Sequence, residues 1–193
     1  LNEPADYKPY WKYWSLDNLP MLPDKFATKV VDQQSIKKQF GVIESLLKSA
    51  SLVINCGDAG QEGELIQRWV INKTNYKGPI KRLWISSLTN EAIKDGFLNL
   101  KPGESYNNLF YAGYSRAIGD WLLGINATRL YTLKYGQNKQ VLSVGRVQTP
   151  TLSMVVDRHL NILNFKPQPF WELLTVYKNT KFSHVNGRFL IKE

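Results

Sequence analysis

The chain has 193 residues, with 25 Lys and Arg against 16 Asp and Glu, a formal net charge of +9. A surface this basic favours polyanions, either nucleic acid or an anionic membrane. No apolar run reaches transmembrane length and the start, LNEPADYKPYWKYW, is no signal peptide, so the reading is a cytoplasmic chain with no membrane partner. The single cysteine, Cys56, excludes an intrachain disulfide framework, and two distant histidines, His159 and His184, argue against a His/Cys zinc site.

In chain order, residues 1–30 mix prolines with Tyr7, Tyr10, Trp11, Tyr13, Trp14 and Phe26. That composition predicts an extended segment docked by its aromatics rather than a regular element. Ile36, Phe40, Ile43, Leu46 and Leu47 follow at helical spacing and predict a helix with one buried face. A strand is predicted over 51–55, then an acidic, Gly-rich turn, then a helix with Leu65, Ile66, Trp69 and Val70 on one face. KRLWIS predicts a second strand after Gly78-Pro79, which makes a βαβ unit with a parallel pair. Thr89 is placed to cap a helix running to about Asn99, and Lys101-Pro102-Gly103 reads as a break and a domain boundary.

One long helix is predicted from Ser105 to about Tyr135, with a kink near Gly124. Thr149-Pro150 reads as a cap and first position of a helix through Leu163. Beyond Pro167 the runs FWELLTVY, KFSHV and RFLIK are strand-like, and Asn186-Gly187 predicts a hairpin turn between the last two. The chain opens without Met and closes in what reads as mid-sheet, so it is expected to be part of something longer.

The stretch NCGDAGQEGELIQRW, residues 55–69, sets acids and glycines where a strand hands over to a helix. In an open parallel sheet, ligands sit at this end of the strands. Asp58 and Glu62, about one helical turn apart, suit a Mg²⁺ that also takes water and phosphate oxygens. Acids at a helix start also simply complement the dipole. For Glu64 the dipole reading is preferred, and for Asp58 with Glu62 the spacing fits both.

DAGQEGELI, taken with YKPYWKYWSLDNLPMLPDKF before it and SVGRVQTPTL after it, resembles the type IA DNA topoisomerases, specifically their topoisomerase III branch. The resemblance runs in order over nearly the whole chain. It implies a Toprim fold whose D-x-D-x-E signature binds Mg²⁺ beside the scissile phosphate, with Asp58 matching the first Asp and Glu62 the Glu. Both are candidate catalytic and metal-binding residues on that basis. The pattern is broken at Gly60, where the family has a second Asp, and at Gln61, where it has Arg. The family's first strand, with a Lys and a catalytic Glu, would precede Leu1. Its nucleophilic Tyr sits in a Y-P-R-T-like motif, and none of the ten tyrosines here is followed by Pro-Arg.

A strand channel needs cations for phosphates and flat side chains for bases. An isolated Arg/Asp pair four apart, such as Arg116 and Asp120, is usually a surface ion pair of little consequence. The resemblance implies instead that R-x-x-x-D-W meets single-stranded DNA, through Arg116, Asp120 and Trp121, with Arg129 further along. Trp121 fits a core position equally well. Ser143, Val144, Gly145, Arg146, Val147 and Gln148 precede a helix start, a setting suited to anions. By resemblance this segment grips the DNA backbone, and Arg82 matches a family Arg that follows the metal motif.

The expected architecture is therefore a Toprim-like α/β domain with a Rossmann-like parallel sheet over 1–100. A mostly α-helical, single-strand-binding domain over 101–166 and the start of a β-rich arch over 167–193 would follow. The implied parent cleaves, passes and reseals DNA strands with Mg²⁺ through a tyrosyl-phosphate, without a nucleotide cofactor. The chain itself is expected to be inactive but to bind single-stranded DNA. The alternatives are a non-catalytic single-strand-binding module and a Toprim-type, metal-dependent nuclease or primase.

Overall fold

The computed structural model describes residues 1–138 and 140–191. It divides into two compact units, Leu1–Gln148 and Thr149–Glu193.

The first unit carries a three-stranded sheet in the order β1-β2-β3. β1 (Val53–Asn55) and β2 (Ile80–Arg82) pair in parallel, with Val53 opposite Ile80 and Asn55 opposite Arg82. This is the expected βαβ unit. Both strands are shorter than the apolar runs suggested: β1 begins two residues late at Val53, and β2 stops early because its partner chain turns away at Cys56. Past Leu83, whose N–H still reaches Asn55 O at 3.0 Å, the residues Trp84–Ser86 have no strand to pair with. Lys101–Pro102, read above as a break, forms β3, a short antiparallel edge strand on β2. Proline fits an edge, where its missing N–H costs no ladder bond.

Of the helices, α1 (Pro4–Tyr7) is a single turn within the N-terminal segment. α2 (Gln34–Ser49) carries the expected stripe, yet none of its residues is buried, and Ile36 and Leu46 are exposed. α3 (Gln61–Lys73) crosses from β1 to β2 and buries Leu65 and Ile71. α4 (Asn90–Leu98) starts as predicted, with the Thr89 side chain accepting from the Ala92 N–H at 3.3 Å. α5 (Asn107–Tyr135) is helical throughout, Gly124 included, and packs on α3. At that crossing a Cβ on Gly113 would stand 3.2 Å from Gln61 O, so glycine sets how closely the two helices approach.

Residues 1–30 dock on α5 through backbone bonds as much as through rings. Arg129 Nη1 donates to Trp11 O (2.7 Å), and Asn126 both accepts from Met21 N (2.6 Å) and donates to Met21 O (3.1 Å). Trp11 and Met21 are buried there, while Tyr10, Tyr13 and Trp14 are exposed.

In the second unit, α6 (Gln148–Leu163) begins at the junction, one residue before the expected cap. Thr149 and Pro150 therefore occupy its first turn, where proline's missing N–H would have no intrahelical partner. β4 (Trp171–Tyr177) and β5 (Thr180–Phe189) form an antiparallel hairpin. Its turn is Lys178-Asn179, both at positive φ (46° and 63°), and not Asn186-Gly187. Two left-handed residues give the twist that a two-residue hairpin needs, and here Lys and Asn supply it. Asn186-Gly187 falls inside β5 at a register shift, where Leu173 stands against the four residues His184–Gly187. Gly187, at φ 66°, accommodates that irregularity.

Candidate nucleic-acid and metal site

The candidate site begins where β1 ends. Residues 56–60 turn the chain into α3, and Gly60 is the N-cap in an extended conformation (φ −174°). Gly60 N–H donates to Asp58 O (2.8 Å), and Gly60 O accepts from Glu64 N–H (3.0 Å). Asp58 is exposed, and its carboxylate has no ion-pair partner among the described residues. Nothing lies within 4 Å of a Cβ built on Gly60, whereas one on Gly63 would collide with Asp58 O. The turn thus lies directly against α3 at Gly63 and leaves open space at Gly60.

Beneath the turn is a buried charge network. Arg82, 1% exposed, directs Nη1 to Asn55 O (3.1 Å), Gly57 O (2.6 Å) and Leu83 O (2.7 Å), and Nη2 to Asp58 O (2.6 Å). Glu64, also 1% exposed, accepts from Arg68 Nε (2.8 Å) and Asn55 Nδ2 (3.1 Å) and lies 2.8 Å from Arg82 Nε. Arg68 continues to Gly103 O (2.6 Å), and Asn55 Oδ1 takes the Gly57 N–H (3.0 Å). Trp84 and Tyr106, stacked 4.8 Å apart, lie beside the Arg82 guanidinium, with ring centroids 5.0 and 5.9 Å from it.

A second, exposed set of charges lies on α5 and the segment after it. Arg116 Nη1 donates to Gln61 Oε1 (3.2 Å) and lies 3.6 Å from Glu62 Oε1. One turn on, Asp120 takes a bidentate contact from Arg146, Nε to Oδ1 at 2.8 Å and Nη2 to Oδ2 at 3.2 Å. Those bonds, and secondarily the charge of Arg116, hold the Asp120 carboxyl below the usual carboxylate range. The Arg146 guanidinium is correspondingly raised, with the Glu62 charge also contributing. Thr128 fastens the segment to α5: its Oγ1 accepts from Val144 N–H (2.9 Å) and donates to Val144 O (3.3 Å). Thr132 Oγ1 accepts from Leu142 N–H (2.9 Å).

The structure therefore brings Glu62, Arg116, Asp120 and Arg146 onto one run of surface, with Asp58 exposed in the turn that leads into α3. Ser143, Val147 and Gln148 are exposed beside them, and Val144 and Gly145 are half-buried. Arg82 lies below the surface. Trp121 is half-buried: its Nε1 donates to Asn2 O (2.9 Å), and its ring meets Tyr7 and Phe26 edge-on at 5.7 and 5.4 Å. Arg129 is buried under Trp11 O and the Trp14 ring, and desolvation lowers its pKa from the ordinary arginine value. Cavities of about 470 Å³, lined by Glu62, Trp69, Asp120 and Trp121, and about 570 Å³, lined by Cys56, Asp58, Leu83 and Phe97, adjoin the site. Sequence reasoning gave Glu64 to the helix dipole and passed over Asn55 and Arg68. The i,i+4 spacing of Glu64 and Arg68 was the one local signal.

The profile of the DNA topoisomerase family matches residues 104–192. DNA topoisomerase 3 of Bacillus anthracis is 47% identical over 173 residues, 89% of this chain and 23% of that protein. DNA topoisomerase 3 of Staphylococcus saprophyticus is 44% identical over 172 residues, 88% of this chain and 24% of the relative. Among solved structures, full-length topoisomerase I from Thermotoga maritima superposes with a TM-score of 0.59 at 25% identity, over 83% of this chain and 27% of that one. These matches place the chain among the type IA DNA topoisomerases. Within that class it is topoisomerase III-like, and it spans about a quarter of the length of the curated relatives it matches.

The class implies Mg²⁺. Among the described residues no group of three His, Cys, Asp or Glu side chains is placed to hold a metal. Two exposed carboxylates either side of the α3 N-cap, Asp58 before it and Glu62 in the first turn, with open space at Gly60, fit a Mg²⁺ that keeps most of its waters and takes phosphate oxygens; they do not form a protein cage. Among the described residues no helix is long and apolar enough to cross a membrane.

Proposed function

We propose that the whole protein is a cytoplasmic, nucleoid-associated, topoisomerase III-like enzyme that cleaves, passes and religates single DNA strands. A tyrosine oxygen attacks the scissile phosphorus, a deoxyribose oxygen leaves, and religation reverses the exchange without ATP. In this reading residues 1–100 are the Toprim-like part, 101–166 the helical strand-binding part and 167–193 the start of the arch. The carrying observation is the continuity of charge from Glu62, at the start of α3, through Arg116 and Asp120 to Arg146.

Asp58 and Glu62 would hold Mg²⁺, which supplies charge stabilisation at the phosphate when bound. Glu62 also stands where a proton on a reacting oxygen could be accepted or returned. Arg116, Arg146 and the Ser143–Gln148 segment take phosphates, with Asp120 positioning Arg146 between strands. Arg82, Trp121 and Arg129 serve the strand through what they hold: the turn, the N-terminal segment and its aromatic rings.

The chain alone is proposed to bind single-stranded DNA without cutting it, because none of its tyrosines lies in a Y-P-R-T-like motif. Anisotropy titrations of an oligo-dT across salt concentrations should show affinity falling steeply as salt rises, through counterion release. No binding at low salt would count against the strand-site reading. Nicking of supercoiled DNA that persists through purification and disappears in Asp58→Ala would favour a nuclease.

A further inference from the structure

We propose that Glu64 is a positioning residue for the acidic turn: through Arg82 and Asn55 it sets where Asp58 presents its carboxylate. This rests on the reading of Asp58 and Glu62 as the Mg²⁺ ligands.

The argument starts from burial. Glu64 and Arg82 are each 1% exposed and the Arg68 side chain 13%. A buried ion triad is a poor way to stabilise a core, since apolar side chains of equal volume usually do as well or better. What apolar side chains cannot do is grip a backbone. The Arg82 guanidinium takes the carbonyls of Asn55, Gly57 and Asp58, three acceptors along the irregular chain between β1 and α3. On the other side Asp58 abuts Gly63, where any Cβ would overlap its carbonyl. Asp58 is therefore clamped from below by a guanidinium and laterally by the α3 backbone.

Glu64 orients that guanidinium. Its Oε2 lies 2.8 Å from Arg82 Nε, as an ion contact rather than an aligned hydrogen bond, and it accepts from Asn55 Nδ2 at 3.1 Å. The same Asn55 side chain receives the Gly57 N–H. One carboxylate thus governs both a donor that grips the turn's carbonyls and an acceptor that fixes its amide. On α3, Glu62 faces outward and Glu64, two residues later, faces inward, so the first turn of one helix carries both the ligand and its support.

The test uses the whole chain, with Mn²⁺ titrated as a paramagnetic stand-in for Mg²⁺ and followed by water-proton relaxation. Glu64→Gln and Arg82→Lys are compared with Asp58→Ala, and circular dichroism reports the fold. Residues that orient metal ligands typically alter metal affinity by about 10–100-fold, and a loss in that range is expected for Glu64→Gln and Arg82→Lys with the helix content retained. The Gly57 and Gly60 amide resonances should move in both variants even without metal. Unchanged Mn²⁺ affinity in both, with binding lost in Asp58→Ala, would overturn the inference and leave the metal assignment standing. Unchanged affinity in Asp58→Ala would remove the metal assignment itself, and this inference with it. Loss of the fold in both variants would also overturn it, because the triad would then hold the domain rather than the site.

Discussion

The two charged regions of the candidate site are built in opposite ways. Beneath the acidic turn, Arg82, Glu64 and Arg68 are nearly sealed from water and their donors end on backbone carbonyls. On α5, Asp120 and Arg146 face solvent at 42% and 46% side-chain exposure and are bonded to each other. A buried pair cannot release one partner without leaving a charge in a medium that solvates it poorly. An exposed pair can exchange a carboxylate for a phosphate at little cost. The first region is suited to holding geometry, and the second is free to exchange partners, as the proposed strand contact requires.

Breaking the buried side should have the largest effect. Glu64→Ala removes the carboxylate partner of the buried Arg82 and the part-buried Arg68 and should destabilise the first unit by about 3–5 kcal/mol in denaturant unfolding, the range for breaking a buried pair. Asp120→Ala, tested identically, should leave stability almost unchanged, because an exposed ion pair contributes little. Equal losses would erase the contrast. The two glycines of the turn offer a steric version. Gly63→Ala should cost about 1–3 kcal/mol, as overpacking does, because its methyl meets the Asp58 carbonyl.

Gly60→Asp should fold normally, since φ there is −174° and the space is open, and should raise Mg²⁺ affinity by adding a carboxylate beside Asp58 and Glu62. A metal titration of the folded variant checks both statements. On the exposed side, Arg146→Ala should measurably weaken oligonucleotide binding by removing one charge-assisted phosphate contact. It should also reduce the salt slope by about one. Glu62→Gln should leave strand binding unchanged or slightly tighter.

The smallest effect concerns pH. Because the folded state holds the Asp120 carboxyl below its ordinary range, its link to Arg146 is complete above the unfolded carboxylate pKa. It is lost as pH falls through the depressed folded value. A carboxyl-carbon NMR titration should show Asp120 returning toward the ordinary range in Arg146→Gln.

Much of the local structure was legible because it depends on near neighbours. Thr89 caps α4 through a contact three residues away, and the βαβ order follows from alternating strand and helix patterns. The misreadings share a cause. Asn186-Gly187 has the residues of a hairpin turn, yet the pairing of Tyr177 with Thr180 places the turn at Lys178-Asn179. The stripe on α2 is periodic, but periodicity does not say whether a neighbour covers it. For the site, the resemblance is what singled out Asp58, Glu62 and the SVGRVQ segment as candidates, since spacing alone fits a helix-dipole role equally well. Arg82 was singled out by resemblance alone, and its burial was not legible because four of its five close partners, Asn55, Gly57, Asp58 and Glu64, lie 18 or more residues away.

The amino-acid sequence by itself determined the basic charge, the order of α/β, helical and hairpin elements, and the position of the acidic turn at a strand-to-helix junction. Each follows from composition or from interactions within a few residues. Only the tertiary structure decided that Glu64 points inward while Glu62 points outward, that Arg129 supports Trp11 and Trp14, and that Arg146 reaches back 26 residues to Asp120. The buried outcomes, Glu64 and Arg129, depend on which distant groups share a low-dielectric interior, and the exposed Arg146–Asp120 pair depends on which surface segments the fold sets side by side. A charge in that interior must find a partner wherever the fold supplies one.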